Sequence, residues 1–129
     1  MILLDENVPE AQRREMARLG LAVRQVGFEW GRKGMSDGEI LTALQGMRRV
    51  TFLTNDADFY RRGYCHTGYC LVVLAVSAKE MAYSAHRFLR QKEFRTFAGR
   101  SGKVARVQPT GVVYWERRAG RERELTWSD

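Results

Sequence analysis

Four aspartates set the terms on which this chain can do chemistry. Asp5 closes the apolar run Ile2-Leu3-Leu4, and Asp56 and Asp58 follow a second run, Val50-Thr51-Phe52-Leu53-Thr54. Asp37 stands between them, at the expected start of a helix. Short apolar runs are how parallel strands read, and functional groups collect at the C-terminal ends of such strands. Carboxylates gathered there repel one another unless a cation neutralises them, so the pattern points to a divalent metal held by oxygen ligands. A carboxylate ending a buried strand must be hydrated, paired or metal-bound, which is why Asp5 and Asp56 head the set.

Several neighbours have two readings. Ser36-Asp37-Gly38-Glu39 has the spacing of a capping box, so Asp37 could simply favour a helix N-terminus and Glu39 could be the reciprocal cap rather than a supplementary ligand. Asp58 could cap a short helix containing Tyr60. Glu6 reads equally as a solvated turn residue and as a secondary site acid. Thr54 could orient a metal-bound water or be an ordinary β-branched strand residue, and Asn55 could contact phosphate. Cys65, His66 and Cys70 resemble a partial zinc site but fall short of four ligands, and the cysteines read as reduced thiols.

These groups need a scaffold, and the pattern supplies an alternation of strand and helix. Strands are expected at 2–5, 21–26, 50–54 and 70–76. The first helix would carry Pro9 in its opening turn, with Met16 and Leu19 on its apolar face and Gly20 as its stop. The second would follow the capping box through Ile40, Leu41, Leu44 and Met47. The third would open on another capping box, Ser77 to Glu80, and bury Met81, Ala82, Ala85, Phe88 and Leu89. Strands at 103–108 and 112–117 flank the turn Gln108-Pro109-Thr110-Gly111, and 121–127 adds an edge strand. The expected architecture is an α/β sandwich with a mostly parallel central sheet and a C-terminal antiparallel hairpin.

Composition bounds the partners. The 129 residues are 44% hydrophobic, enough for one domain with one core, and the formal net charge is +7. From Arg90 to Arg123 there are 10 Lys/Arg and 3 Asp/Glu, so the remainder is neutral, with 12 of each (22 less 10, and 15 less 3). A cationic end beside a neutral, acid-bearing part suggests a polyanionic partner, although such charge also serves solubility. Asp5 and Glu6 interrupt any signal peptide, and no apolar stretch reaches the roughly 20 residues of a membrane span. A cytoplasmic location without membrane contact is the expectation.

The motifs also resemble a family. Leu3-Leu4-Asp5-Glu6-Asn7-Val8-Pro9, Met35-Ser36-Asp37-Gly38-Glu39-Ile40-Leu41 and Phe52-Leu53-Thr54-Asn55-Asp56-Ala57-Asp58-Phe59 are similar, in order and spacing, to the three motifs of small stand-alone PIN-like domains, a family that includes VapC-like toxin nucleases. The resemblance covers residues 2 to about 90. It implies a Rossmann-like PIN-type domain over 1–129, to which the basic β segment at about 103–127 is an uncovered addition. It implies a catalytic, metal-binding set of Asp5 (central), Asp37, Asp56 and Asp58, holding Mg²⁺ or Mn²⁺. It further implies metal-dependent RNA cleavage, as the toxin of a toxin–antitoxin pair, with an antitoxin protein and a second copy of the chain as expected partners. One departure is visible: many PIN nucleases carry a glutamate inside the second helix, where this chain offers Asp37 at its start.

RNA contact is expected from Arg13, Arg14, Arg32, Lys33, Arg61 and Arg62, which follow strand C-termini, with Trp30 or Tyr60 stacking an unpaired base. Two rival functions use the same residues. A phosphoacceptor receiver domain would need an acid pair, a strand-end aspartate and a later hydroxyl, which Asp5-Glu6, Asp56 and Ser77 imitate; the Lys-Pro expected after a fifth strand is missing. A catalytically inactive nucleic-acid-binding module of PIN-like type would use the same fold and charge.

Overall fold

Strands buried on both faces form the centre of the molecule. The computed structural model describes residues 1–127; Ser128 and Asp129, and with them the end of the expected 1–129 domain, lie outside the described residues. In chain order the elements are β1 (Ile2–Leu4), α1 (Glu10–Arg18), β2 (Val23–Gln25), α2 (Asp37–Gln45), β3 (Val50–Thr54), β4 (Tyr69–Leu74), α3 (Met81–Arg90), α4 (Phe97–Arg100), β5 (Val104–Gln108), β6 (Gly111–Trp115) and β7 (Arg123–Thr126). Every residue of β3 and β4 is buried, as suits their largely apolar sequences, and the two threonines of β3 bury hydroxyls that are hydrogen-bonded.

The strands make one seven-stranded sheet in the order β2-β1-β3-β4-β5-β6-β7. The first five run parallel, and β6 and β7 are antiparallel additions. One face carries Met16 of α1 and Met81, Ala85 and Phe88 of α3 over Leu4, Leu53 and Val72. The opposite face carries Ile40, Leu41 and Leu44 of α2 over Leu3, Phe52 and Leu71. β1 is followed by β2 on one side and, after α2, by β3 on the other. The chain therefore changes direction between β1 and β3, the position in an open α/β sheet where a crevice opens beyond the strand ends.

Local chemistry explains the helix limits. The Ser36 hydroxyl accepts from the Glu39 amide at 3.2 Å while the Glu39 carboxylate accepts from the Ser36 amide at 3.1 Å, so the α2 capping box is complete. α1 is followed by Gly20 at φ +90°, a left-handed stop that suits glycine. α3 buries Met81, Ala82, Ser84, Ala85 and Phe88 along one side.

Some boundaries differ from expectation. Pro9 lies at the N-cap in extended conformation rather than in the first turn, its carbonyl accepting from Gln12 and Arg13. The Ser77 capping box does not form: its hydroxyl reaches the Glu80 carboxylate at 3.0 Å, and a 3-10 turn (Ala78–Glu80) precedes α3. Met47 lies beyond α2, which ends at Gln45 with Gly46 as its C-cap. The second strand is shorter than 21–26, with Leu21 serving as core packing instead. The fourth shifts to 69–74. α4 was not expected; it depends on the Thr96 hydroxyl, which accepts from the Gly99 amide at 3.1 Å. The hairpin between β5 and β6 forms as expected, with Gln108 opposite Gly111.

Candidate metal centre

Register brings the acids together. Leu4 pairs with Leu53, so Asp5 and Thr54 leave adjacent strands side by side, and the Asp5 amide still donates to the Leu53 carbonyl at 2.9 Å. The Thr54 side chain joins the two strand ends. Its hydroxyl, fully buried, donates to Asp5 Oδ2 at 2.6 Å and accepts from the Asp56 amide at 3.0 Å. Asp5 Oδ1 accepts from the Glu6 amide at 2.8 Å. Asp56 Oδ1 accepts from the Asp58 amide at 2.9 Å, which curls the chain into a 3-10 turn and carries Asp58 round beside Asp56.

Asp37 arrives from the other side of the sheet, at the first turn of α2. Asp37, Asp56 and Asp58 each offer a carboxylate oxygen within 4.8 Å of the others. Asp5 stands against Asp56, lining with it a crevice of about 290 Å³ whose other walls include Asn7, Pro9, Ala78 and Met81. Asp56 is thus common to both groupings, whereas the family resemblance puts Asp5 at the centre. Among the described residues, no arginine, lysine or histidine forms an ion pair with any of the four aspartates. Partial desolvation pushes the Asp37 carboxyl above the ordinary aspartate range, and the negative charges of Asp56, Asp5 and Asp58 push it the same way. Glu39, in the same helical turn, behaves oppositely. Its bonds to Arg32 and to the Ser36 amide and hydroxyl hold it down at about 2.

The donor set suits a hard cation. It is all oxygen, without histidine or cysteine, which is the chemistry of Mg²⁺, Mn²⁺ or Ca²⁺. The spacing is of the order that metal–oxygen bonds of about 2.0–2.6 Å can bridge. Cys65, His66 and Cys70 make no such group. The cysteines are free, burial pushes the Cys70 thiol up to about 12, and His66 stacks on Tyr69 with centroids 5.0 Å apart while its Nδ1 accepts from the Gly68 amide.

The secondary residues divide. Thr54 sits inside the arrangement. Asn55 lines the crevice, but its amide nitrogen is committed to the Leu74 carbonyl at 2.5 Å, tying β3 to β4. Glu6 accepts from the Gly34 amide at 2.8 Å, pinning the loop after β2, and Glu39 is occupied by the cap and Arg32. One residue escaped the sequence reading. Gln25, buried at the end of β2, donates from Nε2 to the carbonyls of Asp5, Glu6 and Val8 and so shapes the turn that presents Asp5. A lone glutamine at the end of a short strand gives no signal of such a role.

The expected RNA-contacting cations are each engaged within the chain. Arg13 pairs with Glu29 at 2.6 Å and Arg14 with Glu10 at 4.0 Å. Arg32 pairs with Glu39, and Lys33 lies 4.7 Å from the Phe28 ring centroid. Arg61 donates to the Asp58 carbonyl at 3.1 Å, and Arg62 donates to the Ala119 carbonyl at 3.0 Å. Trp30 packs against the core on the α2 face. Tyr60 donates to the Glu122 carboxylate and lies over the Arg106 guanidinium.

Comparison with family models, curated proteins and solved structures returned no match. No helix among the described residues is long and apolar enough to cross a membrane.

Proposed function

We propose that this chain is a metal-dependent endoribonuclease with a PIN-like, Rossmann-type domain, cleaving RNA at a Mg²⁺ or Mn²⁺ centre built on Asp5, Asp37, Asp56 and Asp58. One observation carries the reading. Four carboxylates from two strand ends and a helix start converge where the sheet changes direction, with no ion-paired cation among the described residues. Surface acids scattered for solubility would be expected to find arginines in a chain with 22 Lys/Arg, and these four do not.

The roles follow from placement. Asp37, Asp56 and Asp58 would hold the cation from the open side, and Asp5 from the crevice floor. Thr54 fixes the Asp5 carboxylate and the Asp56 backbone in one geometry, so the two acids cannot drift apart. A bound divalent cation supplies a water of lowered pKa and positive charge against the phosphate oxygens. Asn7, on the crevice wall, would meet the sugar–phosphate chain, while Asn55 holds that wall in place through its bond to the Leu74 carbonyl. As in the resembling toxins, an antitoxin protein and a second copy of the chain are the partners this reading carries.

The test is direct. Purified protein with Mn²⁺ should cleave a labelled single-stranded RNA, EDTA should stop it, and Asp56→Asn should reduce cleavage to background while leaving the melting temperature without metal unchanged or raised. An Asp56→Asn variant that cleaves like the parent would falsify the assignment.

A further inference from the structure

The far half of α3 carries a feature that the metal centre does not use. Tyr83, His86, Arg87 and Arg90 recur at helical spacing on the side away from the buried Met81-Ala82-Ala85-Phe88 side, and with Lys92 and Arg95 they line a hollow of about 370 Å³. Among the described residues, no carboxylate lines it; Glu93, the acid in this stretch, is not part of the wall. Arg90, Lys92 and Arg95 are exposed and, among the described residues, form no ion pair. Cations in the last turn of a helix complement its dipole, which accounts for Arg87 and Arg90. That field fades within a turn, so it does not account for Lys92 and Arg95 in the following segment.

The aromatic residue selects the partner. Tyr83 is 58% exposed, more than any other large apolar side chain among the described residues, and the Arg87 guanidinium lies 5.9 Å from its ring centroid. An acidic protein would be served by the cations alone. An exposed ring in a concave cationic setting is the physics of single-stranded nucleic acid, where bases stack on aromatics and phosphates meet Lys and Arg. A cleft lined by one sign of charge also focuses its field and concentrates polyanions. Position agrees. Met81, at the first turn of α3, lines the acidic crevice, and Arg90, at its last, lines the hollow. The ten residues of the helix span about 15 Å.

From the exposed ring, the cationic lining and the shared helix, we propose that the α3 hollow is a second binding site for single-stranded RNA. It holds the strand through phosphate contacts at Arg90, Lys92 and Arg95 and a base stacked on Tyr83, outside the metal centre. The choice of RNA over DNA rests on the nuclease reading; the binding site itself does not.

Fluorescence anisotropy with a labelled single-stranded RNA, in EDTA, reads binding without cleavage. Replacing Arg90, Lys92 and Arg95 together by alanine should flatten the log–log salt dependence by about two units, at roughly 0.7 per lost phosphate contact. Removing Arg24, Arg48 and Arg121 instead, an equal charge elsewhere, should leave the slope unchanged. Tyr83→Ala should weaken binding about 5- to 150-fold with the slope intact, the worth of one stacked base. Equal flattening by both triple variants, or a Tyr83→Ala variant that binds as the parent does, overturns the proposal. So does poly-glutamate competing for the hollow as well as RNA does, with indifference to Tyr83, which would mark an acidic protein as the partner. A chain that binds RNA through Tyr83 yet cleaves nothing with Mn²⁺ keeps this site and loses the nuclease. One that cleaves but shows no Tyr83 dependence does the reverse.

Discussion

The two ends of α3 border sites of opposite charge and opposite construction. The acidic crevice is made from backbone: β1 and β3 place Asp5 and Asp56 by their register, and a buried hydroxyl bonds to both. The basic hollow is made from long side chains on a helix surface and the segment after it, with no ion pair among the described residues fixing Arg90, Lys92 or Arg95. A site fixed by register has discrete geometry and fails at a single substitution. A site made of independent charges weakens gradually, because each long cation contributes alone and in high dielectric.

That contrast can be broken at its strong end first. Asp5→Asn should reduce Mn²⁺-dependent cleavage to background and remove the Mn²⁺-induced rise in melting temperature, since a ligand that binds only the folded state stabilises it by mass action. Calorimetric titration checks the same point. Full retention of the Mn²⁺ shift would confine the centre to Asp37, Asp56 and Asp58. By contrast, the single change Arg90→Ala should leave the Mn²⁺ shift untouched and lower cleavage by less than about tenfold at low salt, the range of one phosphate contact.

Next in size is Thr54→Val, which keeps the shape and removes the hydroxyl between the two acids. Loss of a group that orients a metal ligand costs about 10- to 100-fold in metal affinity or activity. Mn²⁺ titration against the parent reads this, and an unchanged affinity would show that the strand register alone is sufficient.

The smallest effects concern pH and separate two acids of one helical turn. The Asp37 carboxyl is raised in the folded protein, so its contribution is fully present below the ordinary aspartate pKa and is lost as pH rises through the raised value. Asp37→Asn, without metal, should therefore melt above the parent at pH 7 and level with it at pH 3. Glu39 is held at about 2, so its contribution is present above the ordinary glutamate pKa and is lost as pH falls toward 2. Glu39→Gln should melt below the parent at pH 7, and the gap should close as the solution is acidified. Matching pH profiles for the two variants would show that the pairing of Glu39 and the crowding of Asp37 do not differ in solution.

The strand frame could be read from the chain because β1, β3 and β4 are packed on both faces, so that their sequences are largely apolar and free of charge. The convergence of Asp5 and Asp56 could be read for the same reason: residues that end neighbouring parallel strands must be neighbours. The α2 capping box was equally plain, since both of its halves lie within four residues. The second box, Ser77 to Glu80, has the same letters and fails, because the chain enters α3 through a 3-10 turn that turns the hydroxyl toward the carboxylate. The pairing of the expected RNA-binding cations was not readable. Arg13 finds Glu29 across a helix and a loop, and Arg32 finds Glu39 across another loop. Nor was the α3 hollow, in which Lys92 and Arg95 gain meaning only when the segment after the helix folds back beside Tyr83.

The last strand bears on how the protein behaves at high concentration. β7 covers the outer side of β6, whose Val112, Val113 and Tyr114 are buried, and it presents Arg123 and Glu124 in their place. This cover depends on Gly111, where any Cβ would run into the Leu125 carbonyl. Gly111→Ala should pry β7 away and leave an apolar edge with unpaired amides, a template on which a further chain can add. Light scattering during expression or mild heating would then rise well before the parallel core melts. The charged strand β7 thus keeps the apolar strand β6 from standing at an open edge of the sheet.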